Sequence, residues 1–134
     1  MKFVFGDTFY FAAYFNERDN AHRAALDFGI NSRETIIVTT AWILTELADG
    51  FADSRHRARV FRFIETVQSD ECIRIIAANE SLFLRGLALY GERMDKEWSL
   101  TDCISFTVMH DEQIADALTG DRHFEQAGFN ALLK

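Results

Sequence analysis

Residues Thr35-Ile36-Ile37-Val38-Thr39 run directly into Thr40-Ala41-Trp42-Ile43-Leu44-Thr45-Glu46-Leu47. All five residues of the first stretch are β-branched, which stiffens the side chain and suits an extended, pleated backbone, so a strand is predicted over 35–39. Thr40 then stands where a hydroxyl can accept from the first free N–H groups of a helix, predicted from Ala41 to about Phe51. A strand that passes straight into a helix leaves no room for a hairpin. Its next strand must run parallel to it, across a covered sheet face.

The same unit repeats outward in both directions. Phe3-Val4-Phe5 is a short apolar run closed by Gly6-Asp7, and Thr8 to Phe15 follows as a buried helix. Asn20 is read as the N-cap of a second helix, with Ala21, Ala24, Ala25 and Phe28 facing inward and Gly29 as its C-cap. Ser54 is read as the cap of a helix reaching about Gln68, and Ile73 to Ala77 is a third strand. Asn79 or Ser81 opens a long helix to about Met94, and Ser99 or Thr101 opens another to about His110. A short strand lies within Ile114 to Thr119, and the tail from Phe124 holds a further brief apolar stretch. The expectation is an α/β fold, a three-layer α/β/α sandwich with a central parallel sheet. With 134 residues, 49% apolar, no repeat and no linker, the chain is read as a single domain over 1–134.

Composition excludes several classes. No GxGxxG or Walker A spacing occurs, so those phosphate cradles are absent. Cys72 and Cys103 make neither a disulfide framework nor a zinc knuckle, and they fit a reducing compartment. Asp7 interrupts the apolar start, with Glu17, Arg18 and Asp19 soon after, against a signal peptide. No uncharged run approaches the roughly 18 residues of a spanning helix. A cytoplasmic protein with no membrane contact is expected. The net charge of −7 argues against a general cationic coat for nucleic acid, though not against a local patch.

In an open parallel sheet, ligands bind beyond the carboxyl ends of the strands. Four acids fall there: Asp7 after the first strand, Glu46 in the helix after the second, Asp102 near a helix start, and Asp121 after Ala117-Leu118-Thr119. Each also has a plain structural role open to it, Asp7 as a helix cap, Asp121 as an ordinary turn acid, Asp102 as a first-turn acid, Glu46 as a solvated helix residue. Glu46 and Asp102 sit among apolar neighbours with no Lys or Arg within helical reach. Converging carboxylates without cations raise one another's pKa values, and a hard divalent cation, Mg²⁺ or Mn²⁺, relieves the repulsion. Thr8, Thr101 and Thr119 lie within two residues of these acids and can orient them or their water. Asp116 competes with Asp121 for the fourth place, but it begins the strand and so belongs at the opposite sheet edge.

The blocks Asp7-Thr8, Thr39-Thr40-Ala41-Trp42-Ile43-Leu44-Thr45-Glu46-Leu47-Ala48, Ser99-Leu100-Thr101-Asp102-Cys103-Ile104-Ser105-Phe106 and Ala117-Leu118-Thr119-Gly120-Asp121-Arg122-His123-Phe124 resemble, in order and spacing, the PIN-domain nucleases, particularly the small VapC-type toxins. One departure is Gly6 immediately before Asp7. The resemblance implies a Rossmann-like sandwich and a Mg²⁺- or Mn²⁺-dependent ribonuclease, using one or two ions and leaving 5′-phosphate and 3′-hydroxyl ends. By the same resemblance Asp7, Glu46 and Asp102 are the core catalytic and metal-binding acids. Asp121 is the more variable fourth, and Thr119 is its accompanying hydroxyl. It further implies the toxin of a type II toxin–antitoxin pair, an antitoxin partner and a homodimer.

Arg55, Arg59 and Arg62 would share one helical face at i, i+4 and i+7 and could track an RNA backbone, or simply pair with nearby acids. Arg122 and His123 stand beside the proposed site and are placed to touch substrate, or equally to play a structural part in a turn anchored by Phe124. Among the early aromatics, Phe9, Phe11, Tyr14 and Phe15 are expected to fill the core, with a partner groove between the early helices as the alternative. A haloacid-dehalogenase-like phosphatase needs a second acid two residues after Asp7, where Phe9 stands, and a core lysine, where the chain offers just Lys2, Lys96 and Lys134. An inactive PIN-like module binding RNA or protein is the remaining alternative.

Overall fold

The computed structural model describes residues 1–134, the side chain of Ile30 excepted. Five strands form one sheet: β1 Lys2–Gly6, β2 Thr35–Thr40, β3 Ile73–Ile76, β4 Asp116–Leu118 and β5 Asn130–Ala131. Their order is β3-β2-β1-β4-β5, and every pair is parallel. The helices are α1 Thr8–Phe15, α2 His22–Asn31, α3 Ala41–Gly50, α4 Arg57–Ser69, α5 Glu80–Glu92, α6 Leu100–Asp111 and α7 Arg122–Gln126. Right-handed crossovers place α1 to α4 on one face, because β1 to β3 step in one direction. The return to β4 beside β1 reverses that direction and puts α5 to α7 on the other face. This is the α/β sandwich expected. No helix among the described residues is long and apolar enough to cross a membrane.

The core follows from the two covered faces. Val4, Phe5, Val38, Ala117 and Leu118 are fully buried in the central strands. Helix α6 is buried over seven consecutive residues, Cys103 to Met109, as befits a helix enclosed between the sheet and α5. Its Phe106 ring stands edge-on to Phe124 of α7 at 5.0 Å and to Trp98 at 5.1 Å. Gly6 tightens the strand end: a Cβ there would lie 2.7 Å from Ile37 Cγ2 and 3.0 Å from the Phe11 ring.

Thr40, Asn79 and Ser99 cap their helices, accepting from Ile43 N, Leu82 N and Asp102 N. Three predicted boundaries change. Helix α2 begins at His22, not after Asn20, because Asp19 accepts from Ala21 N at 2.8 Å and closes a turn ahead of a helix that has no side-chain cap. Ala24 is exposed, and α2 continues through Gly29 to Asn31, where the Ser32 hydroxyl meets the Phe28 carbonyl. Ser54 lies in a turn: Asp53 holds the His56 ring at 2.9 Å and its carbonyl accepts from Arg57 N, so α4 starts at Arg57. The tail resolves into α7 and β5, two elements too short for periodicity to define.

Candidate active site

Strand order reverses at β1, whose neighbours are β2 and β4, and the crevice beyond the carboxyl ends of β1 and β4 is the topological switch point of the sheet. The register pairs Phe5 with Ala117 and Gly6 with Leu118, so the next residues, Asp7 and Thr119, emerge side by side. Thr119 Oγ1 donates to Asp7 Oδ2 at 2.8 Å and accepts from Asp121 N at 3.0 Å. One hydroxyl therefore links two acids that are 114 residues apart.

Asp7 occupies the N-cap position of α1, yet its side chain caps nothing. It is buried, 6% exposed. Burial above all, with Asp102 and Glu46 adding repulsion against the Thr119 hydrogen bond, pushes its carboxyl up to about 7. Glu46 reaches the crevice from α3, and the Thr8 hydroxyl donates to its Oε1. Asp102 comes from the first turn of α6 in a capping box: Ser99 Oγ accepts from Asp102 N, and Ser99 N donates to Asp102 Oδ2 at 3.2 Å. Its carboxyl is also raised, first by burial and further by Asp121, against the Ser99 and His123 contacts. Ser99, rather than Thr101, is the hydroxyl residue that meets Asp102. Asp121 caps α7 by accepting from His123 N at 2.9 Å.

His123 joins these acids. Its Nδ1 is 3.1 Å from Asp102 Oδ2 and 3.5 Å from Asp121 Oδ1. Among the described residues no Lys or Arg forms an ion pair with Asp7, Glu46, Asp102 or Asp121. Four carboxylates from four separate segments thus gather here, and among the described residues the His123 imidazole is the one basic group in ion-pairing contact with them. Such an oxygen-rich donor set fits a divalent cation. The sequence signal for His123 was its place two residues after a proposed site acid, which reads as a substrate contact or a turn residue until the fold brings α6 alongside.

Asp116 lies at the other end of β4. It pairs with Lys2 Nζ at 3.2 Å and accepts from Asn130 Nδ2 at 2.8 Å, contacts that hold its carboxyl below the usual range. Three residues of strand, about 10 Å, separate it from Thr119. The arginine face is also apart from the acids. Arg59 lies 4.8 Å over the Phe15 ring at the far end of α1, about 12 Å of helix from Asp7. Arg62 is exposed on α4, but Arg55 belongs to the turn before it, so the three do not share a helix face. Arg122 is exposed beside His123.

No family model matches the sequence, and neither does any curated protein. Among solved structures the chain is similar to Mycobacterium tuberculosis VapC20, a sarcin-ricin loop cleaving toxin, with 23% identity, a TM-score of 0.84, and coverage of 94% of this chain and 95% of that one. What this likeness establishes is architecture: the chain has the fold of a VapC-type PIN-domain toxin.

Proposed function

We propose that residues 1–134 act as one PIN domain, a Mg²⁺- or Mn²⁺-dependent endoribonuclease serving as the toxin of a type II toxin–antitoxin pair in the cytoplasm. The observation that carries this reading is the convergence of Asp7, Glu46, Asp102 and Asp121 at the sheet's switch point without a lysine or arginine among them. The structural likeness to an RNA-cleaving toxin supports RNA as the substrate class.

Asp7, Glu46, Asp102 and Asp121 would hold the cation. When bound, it neutralises charge on a phosphodiester and lowers the pKa of a water molecule. The chain supplies the positioning. Thr119 fixes Asp7 and the Asp121 backbone, Thr8 fixes Glu46, and Ser99 fixes Asp102. Arg122, exposed at the rim, is placed to meet a substrate phosphate, while Arg59 and Arg62 offer a more distant track for the backbone. For partners, the proposal is a homodimer and an antitoxin segment. A groove of about 280 Å³ between α1, α2 and α4, lined by Tyr10, Phe11, Tyr14, Phe28 and Phe63, has the aromatic character a partner helix uses.

The test is to sequence RNA ends after incubation with wild type or Asp102→Asn in Mg²⁺ or Mn²⁺. New 5′-phosphate ends that vanish in the variant are expected. A wild type that binds cation but produces no ends would instead leave a binding module.

A further inference from the structure

The acids do not form one uniform cluster. Asp102, Asp121 and His123 each offer a ligand atom, and these atoms lie within 4.8 Å of one another. Asp7 and Glu46 are outside that triad, so the crevice divides into an all-oxygen part and a part containing a nitrogen. The spacings in the second part have a chemical meaning. Two cis ligands about 2.1 Å from an octahedral ion lie about 3.0 Å apart, and about 3.4 Å apart around a tetrahedral one. Nδ1 of His123 is 3.1 Å from one carboxylate oxygen and 3.5 Å from the other.

The imidazole is also held in place. His123 N donates to Asp121, whose own N–H is held by Thr119. The next residue, Phe124, is fully buried against Phe106 and Phe5. Gln126, one turn on, accepts from the Trp98 indole at 3.1 Å. Helix α7 is therefore pinned on both sides of His123, and its ring is just 21% exposed. A side chain locked between two carboxylates at coordination spacing loses little freedom on binding an ion.

We propose that His123 is a nitrogen ligand to a divalent cation shared with Asp102 and Asp121, and that it makes this position prefer the transition-metal cations Mn²⁺ and Zn²⁺ over Mg²⁺. Mg²⁺ favours oxygen donors in strict octahedral geometry, whereas imidazole strengthens binding along the series from Mn²⁺ upward. The inference rests on the cation-dependent reading above and deepens it, by assigning a ligand and a metal preference that four carboxylates alone would not produce.

The experiment is pulsed electron paramagnetic resonance on the full chain loaded with Mn²⁺, beside calorimetric titration with Mn²⁺, Zn²⁺ and Mg²⁺. Wild type should show ¹⁴N coupling from a directly bound imidazole. That coupling should vanish in His123→Ala and His123→Gln. Affinity for Mn²⁺ and Zn²⁺ should fall at least about tenfold in both variants, with Mg²⁺ affinity changed less than about twofold. Near-UV circular dichroism checks that the variants fold; should they not, the same loss of coupling is sought after replacing each of His22, His56 and His110 in turn, and loss in any of these overturns the assignment to His123. Bound Mn²⁺ without ¹⁴N coupling overturns the nitrogen ligand and leaves the nuclease reading standing. A parallel loss for Mg²⁺ and Mn²⁺, or retention of selectivity in His123→Gln, assigns His123 a hydrogen-bonding role and overturns the proposal. Failure of wild type to bind any of the three cations overturns both readings.

Discussion

Replacing Asp7 by Asn should stabilise the metal-free protein at alkaline pH while removing the proposed RNA cleavage. Asp7 ionises near 3.8 in an unfolded chain but at about 7 in the fold, chiefly because it is buried. Between those values the folded state binds more protons than the unfolded one, so stability falls as pH rises. The contribution is intact below about pH 4 and lost as pH climbs through about 7. At about 1.4 kcal/mol for each pH unit, the gap from 3.8 to about 7 sets a ceiling of about 4 kcal/mol. At 6% exposure, solvent screens little of this. Asparagine keeps the shape and can still accept from Thr119 Oγ1 without a charge to desolvate. Urea unfolding in the presence of a chelator, from pH 5 to 8, reads the difference between wild type and variant and so cancels other titrating groups. We expect Asp7→Asn to be about 4 kcal/mol the more stable at pH 8 and about 2 kcal/mol the more stable at pH 5. Adding Mn²⁺ should raise wild-type stability more than that of the variant, which keeps Asp102, Asp121 and His123 as ligands but lacks the Asp7 carboxylate. A variant that is weaker than wild type at pH 8 in chelator, or a difference that does not change with pH, would refute the reasoning.

Thr119→Val should leave the Asp7 carboxyl and the Asp121 N–H without their shared partner, lowering cation affinity by about 10–100-fold in a calorimetric titration. Gly120→Ala would put a Cβ 2.5 Å from the Phe9 ring and should cost about 1–3 kcal/mol in urea unfolding, since the loop carrying Asp121 must shift away from α1. Ser105 Oγ is buried in α6 with no hydrogen-bond partner among the described residues, so Ser105→Ala should be neutral or stabilise by up to about 1 kcal/mol, seen as a raised Tm. Asp116→Asn should retain RNA cleavage within about twofold, whereas Asp121→Asn should lose most of it; equal losses in a cleavage assay would place the fourth acid wrongly.

Much of this protein was legible along the chain because it is set by neighbours a few residues apart. Five consecutive β-branched residues make β2 extended, and Thr40, Asn79 and Ser99 cap helices through bonds spanning three residues. The alternation of strand and helix then requires parallel pairing. Local reading failed where competing groups were also local. Asp19 closed a turn onto the Ala21 N–H that moved the start of α2 past Asn20, and Asp53 held the turn that delays α4 past Ser54 and leaves Arg55 off its helix. The acids were visible as residues at strand ends and helix starts, but their convergence was not, because strand order is decided by which faces pack together. Only the placement of β4 beside β1 brings Thr119 to Asp7, across 112 residues. Likewise only the packing of α7 against α6 sets His123 against Asp102, turning a rim residue into a part of the charged centre. Sequence alone picked out the four acids proposed to carry the chemistry; tertiary structure determined their distances and added His123, because separations of 3 Å between remote segments depend on the whole packed core.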